Sequence, residues 1–324
     1  MNVFVTRIIP DIGLEILRDN FNVSINPEDR PIARSKLIDL ASDSDGILCL
    51  LTDRIDGEIM DLIPDLKGIA NYAVGFDNID IDDATRRGIP VSNTPGVLTD
   101  ATAELAIALI FAAARRIVEA DVFMRGGTWS GWGPMQFLGA DIAGATLGVI
   151  GMGKIGYAVA KRAKGLGMRI VYFDTQRNED AEKEFSAEMM TIPELLSSAD
   201  FVTLHIPLFE KTRHLIGKAE LEMMKPTAFL INTSRGPVVD EAALAKALKE
   251  KKIAGAGLDV YEFEPKVTKE LLALKNVVLL PHIGSATTVT RGKMAVMAAE
   301  NLVSMLKGGD IPNLVNPDYI KYKK

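Results

Sequence analysis

The chain has 324 residues, 48% of them hydrophobic, a formal net charge of −6 and a single cysteine, Cys49. That length exceeds what one hydrophobic core usually serves, so two domains are expected. Interspersed charges without a basic stripe exclude nucleic acid as a partner, and one cysteine excludes an internal disulfide.

In chain order, "NVFVT", "FNVSI", "GILCLL", "GIANYA" and "IPVS" read as short strands, separated by helical stretches such as "DIGLEILRDN" and "PIARSKLIDLAS". Cys49, inside "GILCLL", reads as a buried core thiol. Thr99 to Arg125 reads as one long helical pattern. Its apolar run from Leu105 to Ala114 stops at Arg115 and is too short for a membrane span of about 20 residues. The opening "MNVFVTRIIPDIG" has no charged segment leading into a long apolar one. A cytoplasmic protein without membrane partners is expected. The glycine-rich stretch of about 126–145, carrying Trp129 and Trp132, has no clear period. It reads either as a packed surface loop or as an arm that reaches a partner subunit.

A second series of strands follows: "TLGVI", "RIVYF", "FVTLHI", "AFLINT", "AGAGLDV" and "VVLLP". Between them, "TIPELLSSA" starts as a capping box, with Thr191 at the cap and Glu194 three residues on. Alternating strands and helices predict an α/β fold of parallel sheets covered on both faces.

"GMGKIG" places Gly151, Gly153 and Gly156 directly after a strand and at the start of a helix, the context that a dinucleotide fingerprint requires. Gly151 permits the sharp turn, Gly153 lets the backbone approach a pyrophosphate, and Gly156 allows close helix–strand packing. The N–H groups of Lys154 and Ile155, at the positive end of the helix, would face the phosphates. Asp174 closes the next strand about 20 positions on, where a carboxylate accepts the ribose hydroxyls of NAD and repels the 2′-phosphate of NADP. NAD is therefore the expected cofactor, with NADP(H) as the alternative because Arg177 lies nearby. The opening turn "TRIIPDIG" lacks the glycines, which makes the first block the candidate substrate lobe.

Hydride transfer to a carbonyl needs a proton donor and a cation that holds a carboxylate. His205 and His282 both close predicted strands; singly, each reads more readily as a hydrogen-bonded structural histidine. Arg235 and Glu264 also follow strands, and singly would read as solvated loop charges. Together, Arg235, Glu264 and His282 form a coherent set beyond the strands of the lobe that carries the glycine loop.

"GMGKIG", "INTSRGPVVDE", "GLDVYEFEP" and "LLPHIGSAT" resemble the successive motifs of the D-isomer-specific 2-hydroxyacid dehydrogenase family, and the likeness runs from "IANYAVGFDNIDI" to "PNLVNPD". The resemblance implies two doubly wound parallel-sheet domains. A Rossmann-type NAD-binding domain would span 99–286, including a dimerisation arm at about 126–145. A flavodoxin-like substrate domain would combine 1–98 with 287–324, the last long helix running from about Ala286 to Lys307. It also implies roles. Arg235 would bind the substrate carboxylate and carbonyl, and His282 would be the general acid. Glu264 would pair with His282 and favour its charged form. The N–H groups of Val74 and Gly75 would hold the carboxylate, and Asp259 would sit near the nicotinamide carboxamide. Thr233, Ser234 and Gly284 would help to line the cofactor cleft, with Arg235 and His282 also beside it. No metal is expected, and a homodimer is.

Within the family, "ANYAVGFDNIDI", "NTPGVLTDATAELA" and "HIGSAT" resemble the glyoxylate and hydroxypyruvate reductases. Ile283, Gly284, Ser285 and Ala286 stand where D-lactate enzymes usually carry bulky aromatics. D-3-phosphoglycerate dehydrogenase, or another D-2-hydroxyacid dehydrogenase, is the alternative activity. A non-catalytic NAD-sensing corepressor is disfavoured by the absence of long disordered or basic flanks. Asp174 departs from the Ser-Arg of many close glyoxylate reductases that prefer NADPH.

Overall fold

The computed structural model describes residues 1–323, which divide into two compact units, Met1–Leu98 with Ser285–Lys324 and Thr99–Gly284. The first unit has five strands: β1 (Asn2–Val5), β2 (Asn22–Ile25), β3 (Gly46–Cys49), β4 (Gly68–Asn71) and β5 (Val91–Ser92). Their order is β2-β1-β3-β4-β5 and every pairing is parallel, the flavodoxin-like arrangement. All residues of β3 and β4 are buried, which explains why they read as continuous apolar runs rather than alternating ones. Leu302, Met305 and Leu306 of the helix Thr288–Lys307 close on one face of the sheet. Side chains there come so near that a Cβ on Gly46 or Gly68 would sit 2.9 Å from them. Leu37, Ala41, Ile59 and Ile63 cover the opposite face. The helix begins at Thr288 rather than Ala286, because the Thr287 hydroxyl accepts the Thr290 N–H at 3.1 Å and caps it. Cys49 is wholly buried and its burial pushes the thiol up well above its ordinary pKa, as befits an inert core residue.

The second unit has seven strands: β6 (Thr146–Ile150), β7 (Arg169–Phe173), β8 (Glu188–Met189), β9 (Phe201–Leu204), β10 (Phe229–Asn232), β11 (Gly255–Leu258) and β12 (Val277–Leu279). They lie in the order β12-β11-β10-β9-β6-β7-β8, again all parallel, which is the dinucleotide-binding order extended by one strand. Strand β8, two exposed residues long, is too short to leave a pattern in the sequence. The capping box at Thr191 and Glu194 is present as read.

One expectation is corrected. Thr99 to Arg125 is not a single helix but two, Thr99–Ala114 and Ile117–Arg125. Arg116 between them is left-handed, at φ 53°, and the Ala114 carbonyl accepts the Ala140 N–H at 2.9 Å instead of continuing the helix. Gly139 makes that approach possible, since a Cβ there would lie 2.2 Å from the Ala114 oxygen. The break is thus imposed by a chain segment distant in sequence, and no local helix breaker marks it. Helix Ile117–Arg125 has no buried residue, and Val122, Met124, Trp129 and Trp132 are all exposed, Trp132 to 83%. Among the described residues, no helix is long and apolar enough to cross a membrane.

Candidate functional site

In the second unit the strand order reverses between β6 and β9, the point where open α/β sheets gather ligands. The three glycines follow β6 there and differ in what surrounds them. Gly151 has φ +96°, and a Cβ on it would lie 2.6 Å from the His205 carbonyl oxygen. A Cβ on Gly156 would lie 2.0 Å from the Gly151 oxygen, so this glycine is required by packing alone. A Cβ on Gly153 would meet nothing within 4 Å beyond its chain neighbours, although this residue caps the helix Lys154–Gly165. Open space beside a helix N-terminus, where the first-turn N–H groups of Lys154 and Ile155 have no intrahelical acceptor, suits an anionic ligand.

The loop after β7 holds this turn from two sides. Asp174 Oδ2 accepts the Met152 N–H at 2.7 Å, and Asn178 Nδ2 donates to the Met152 carbonyl at 2.9 Å. Both backbone groups at the middle of Gly-Met-Gly are thereby fixed. No sequence signal marks Asn178 beyond its place as a helix cap, which it also is: its Oδ1 accepts the Ala181 N–H. Asp174 Oδ1 accepts the Thr175 N–H at 2.6 Å. Arg177 does not reach toward Asp174 but pairs with Glu182 at 2.6 Å.

Arg235, Asp259, Glu264 and His282 lie just beyond the C-terminal ends of the neighbouring strands β10, β11 and β12. Gly236 allows the Arg235 segment to pack against the segment leading to Glu264, since a Cβ there would lie 1.9 Å from the Tyr261 backbone. Glu264 Oε1 accepts the Tyr261 N–H at 2.9 Å, and Oε2 meets His282 Nδ1 at 2.9 Å. Burial raises the Glu264 pKa, but the hydrogen bond and charge of His282, the Tyr261 N–H and the Arg235 charge outweigh it and leave the carboxyl below its ordinary value.

His282 is left-handed at φ 56°, an uncommon state for a non-glycine residue. Buried Asp259 imposes it: Oδ1 accepts the Ile283 N–H at 2.7 Å and Oδ2 the Gly284 N–H at 2.8 Å. Burial pushes the Asp259 carboxyl up, against those two bonds and the His282 charge. Gly284 is further held by the Thr102 hydroxyl, which donates to its carbonyl at 3.3 Å. Ser234 bonds to Asn232 Oδ1 through both N–H and hydroxyl. The Thr233 hydroxyl is buried without a hydrogen-bond partner among the described residues, an orphan that a bound polar ligand would satisfy.

The remaining histidines play other parts. Burial lowers the His205 pKa to about 3, and its Nε2 meets the Thr203 hydroxyl at 2.9 Å, so it is a neutral structural group. His214 pairs with Glu262 at 2.6 Å.

In the first unit, Val74 and Gly75 follow β4. The Ala73 carbonyl accepts the Thr94 N–H at 2.8 Å, the Val74 carbonyl accepts from Asn93 Nδ2 at 2.7 Å, and the Gly75 carbonyl accepts from Asn71 Nδ2 at 2.8 Å. In a planar trans peptide the N–H points opposite to the C=O. Three anchored carbonyls therefore turn the N–H groups of Val74, Gly75 and Phe76 each away from its own anchor, and successive backbone donors of this kind suit an anion. Asn71, Asn93 and the Phe76 N–H escape a sequence reading, because side chains that hold backbone leave no spacing signature. Among the described residues no group of three or more His, Cys, Asp or Glu side chains is placed to hold a metal ion.

The profile of the D-isomer specific 2-hydroxyacid dehydrogenase NAD binding domain matches residues 107–284. The chain is 52% identical to a glyoxylate reductase of Thermococcus gammatolerans, over 99% of this chain and 98% of that one. Among solved structures, a protein from Thermus thermophilus superposes with a TM-score of 0.92 at 44% identity, covering 97% of this chain and 100% of that one. An NADPH-dependent glyoxylate/hydroxypyruvate reductase from Sinorhizobium meliloti, solved with NADP and malonate, gives 0.85 at 33% identity, covering 98% and 97%.

Proposed function

The chain belongs to the D-isomer specific 2-hydroxyacid dehydrogenase family, and from that premise we propose that it reduces glyoxylate to the achiral 2-hydroxyacid glycolate and hydroxypyruvate to the D-2-hydroxyacid. It is an NAD(P)-dependent oxidoreductase that converts 2-oxoacids to 2-hydroxyacids. Bound NAD(P)H supplies the hydride. The observation that carries the assignment of the acid is the 2.9 Å contact between His282 Nδ1 and Glu264 Oε2. With Nδ1–H committed to the carboxylate, the imidazolium presents Nε2–H as the transferable proton, and it passes to the carbonyl oxygen as the alkoxide forms. Glu264, held below its ordinary pKa, stays anionic and accepts the ring Nδ1–H. Arg235 binds the carboxylate and polarises the carbonyl through its planar fork. In the first unit, the N–H groups of Val74 and Gly75 are the donors for a substrate carboxylate.

The glycine loop, Lys154 and Ile155 receive the pyrophosphate, and Thr233, Ser234, Asp259 and Gly284 belong to the cofactor face of the second unit. This makes Thr99–Gly284 the dinucleotide-binding unit and Met1–Leu98 with Ser285–Lys324 the substrate-binding one. NADH is preferred over NADPH, because the Asp174 carboxylate accepts ribose hydroxyls and repels a 2′-phosphate. The exposed tryptophans and apolar face of 117–138 support a homodimer built on that arm, and the reduced lone cysteine supports a cytoplasmic location. The test is to follow NADH and NADPH oxidation with glyoxylate, hydroxypyruvate, pyruvate and phosphohydroxypyruvate. Glyoxylate with NADH is expected to give the highest kcat/KM, whereas preference for phosphohydroxypyruvate overturns the substrate assignment.

A further inference from the structure

The loop Asp174–Asn178 carries one cation, Arg177, and its guanidinium is taken by Glu182. Nε lies 2.9 and 2.8 Å from the two carboxylate oxygens, and Nη2 lies 2.6 Å from Oε2. Glu182 is itself anchored from below. Its Oε1 accepts the hydroxyl of Tyr172 at 2.8 Å, and that fully buried tyrosine accepts the Asn178 N–H at 3.0 Å. The carboxylate therefore has a fixed position, while the arginine side chain is 69% exposed, on the open side of the loop where another anion would compete for it. A 2′-phosphate would need a cation at this loop, since Asp174 on the same loop is an anion already bonded to Met152.

We infer that Glu182 is a specificity-determining residue: fixed on Tyr172, it holds Arg177 to itself and withholds from NADPH the cation its 2′-phosphate needs. The inference deepens the proposed preference for NADH and rests on that reading. Coulomb attraction decides the direction. A carboxylate held in place competes with the phosphate for one guanidinium, and its neutral isostere does not. Exposed pairs are modest in strength, so release of the arginine is worth about fivefold in NADPH use.

The test compares kcat/KM for NADH and NADPH with glyoxylate in the wild type, Glu182→Gln, Arg177→Ala and the double variant, each checked for unchanged thermal unfolding. Gln keeps an acceptor for the Tyr172 hydroxyl, so the helix cap and loop are preserved. Glu182→Gln is expected to raise kcat/KM for NADPH about fivefold while NADH changes less than about twofold, and the double variant is expected to lose the gain. No gain, or a gain that survives removal of Arg177, overturns the inference. A wild type that favours NADPH refutes the cofactor preference separately. If Arg177→Ala then lowers NADPH use, the inference falls with it; if Arg177→Ala is silent and Glu182→Gln still acts through Arg177, the inference stands alone.

Discussion

The three glycines at the head of helix Lys154–Gly165 offer a separation that few sites allow, because a side chain added at one of them would enter open space. Gly153→Ala adds a methyl to open space at extended dihedrals, φ −72° and ψ −165°, that any residue adopts. Ala is a poorer N-cap than Gly by about 0.5–1 kcal/mol, and the stiffer unfolded chain returns about 0.4–1 kcal/mol. Stability should hardly change. Gly156→Ala instead drives a Cβ to 2.0 Å from the Gly151 oxygen and 3.1 Å from Val149 Cγ1, two buried residues just beyond and within the end of β6. Overpacking of this kind costs about 3 kcal/mol, against roughly 1 kcal/mol gained in helix propensity, for a net loss of about 2 kcal/mol. In a domain of this size that lowers Tm by about 4–8 °C. A phosphate seated on the first-turn amides would meet the Gly153→Ala methyl directly, so NADH affinity should fall at least about tenfold, some 1.4 kcal/mol. Fluorescence titration with NADH and thermal unfolding of both variants make the comparison. Undiminished NADH affinity in Gly153→Ala, or a Tm loss equal to that of Gly156→Ala, refutes the amide cradle.

His282→Asn should lower kcat/KM for glyoxylate about 10²–10⁴-fold while NADH affinity stays within about threefold; retained turnover in stopped-flow assays removes the proton-donor role. Asn93→Ala frees the Val74 carbonyl and should raise KM for glyoxylate about five- to tenfold with NADH unaffected, and an unchanged KM shows that Asn93 does not orient the carboxylate site. His205 predicts acid sensitivity. Its folded pKa is depressed from 6.5 to about 3, so below pH 6.5 the unfolded chain takes up a proton that the native state refuses, and stability falls until about pH 3. Between pH 7 and pH 5 this one group removes about 2 kcal/mol, and His205→Gln should abolish that share in urea unfolding at the two pH values. Equal pH dependence in the variant contradicts it.

What was legible in the sequence follows from how local each feature is. Among the described residues twelve strands lie in two parallel sheets, and eleven coincide with apolar or β-branched runs; β3, β4, β9, β10 and β11, buried throughout, show no polar side. The edge strand β2 buries none of its residues and is marked by its β-branched Val23 and Ile25, whereas β8, two exposed residues long, leaves no run. The glycine fingerprint was readable because each glycine answers a steric demand at fixed spacing. The helix break at Arg116 was not, since its cause is the Ala140 N–H arriving on the Ala114 carbonyl from a segment later in the chain. Arg235, Glu264 and His282 were individually ambiguous, and only their shared place after strands singled them out. The left-handed backbone of His282 had no sequence signal, because the residue that creates it, Asp259, is distant in the chain.

The backbone-holding roles that sequence reasoning passed over have a common physical origin. A strand end leaves backbone groups without a ladder partner, and an Asn or Asp at that end can fix the next turn. Asn71 ends β4 and holds the Gly75 carbonyl; Asn232 ends β10 and holds Ser234. Asp174 follows β7 and holds the Met152 N–H; Asp259 follows β11 and holds Ile283 and Gly284. Each short side chain fixes its turn by hydrogen bonds made before any ligand arrives, Asn71 by donating to a carbonyl and Asn232, Asp174 and Asp259 by accepting backbone N–H groups. Binding then loses less conformational entropy, and a hydrogen bond to a developing charge needs no reorganisation when that charge forms. Chemistry that moves one hydride and one proton gains most from donors set in this way. The turns at these strand ends are accordingly specified by the amide and carboxylate residues beside them as much as by the candidate site residues they carry.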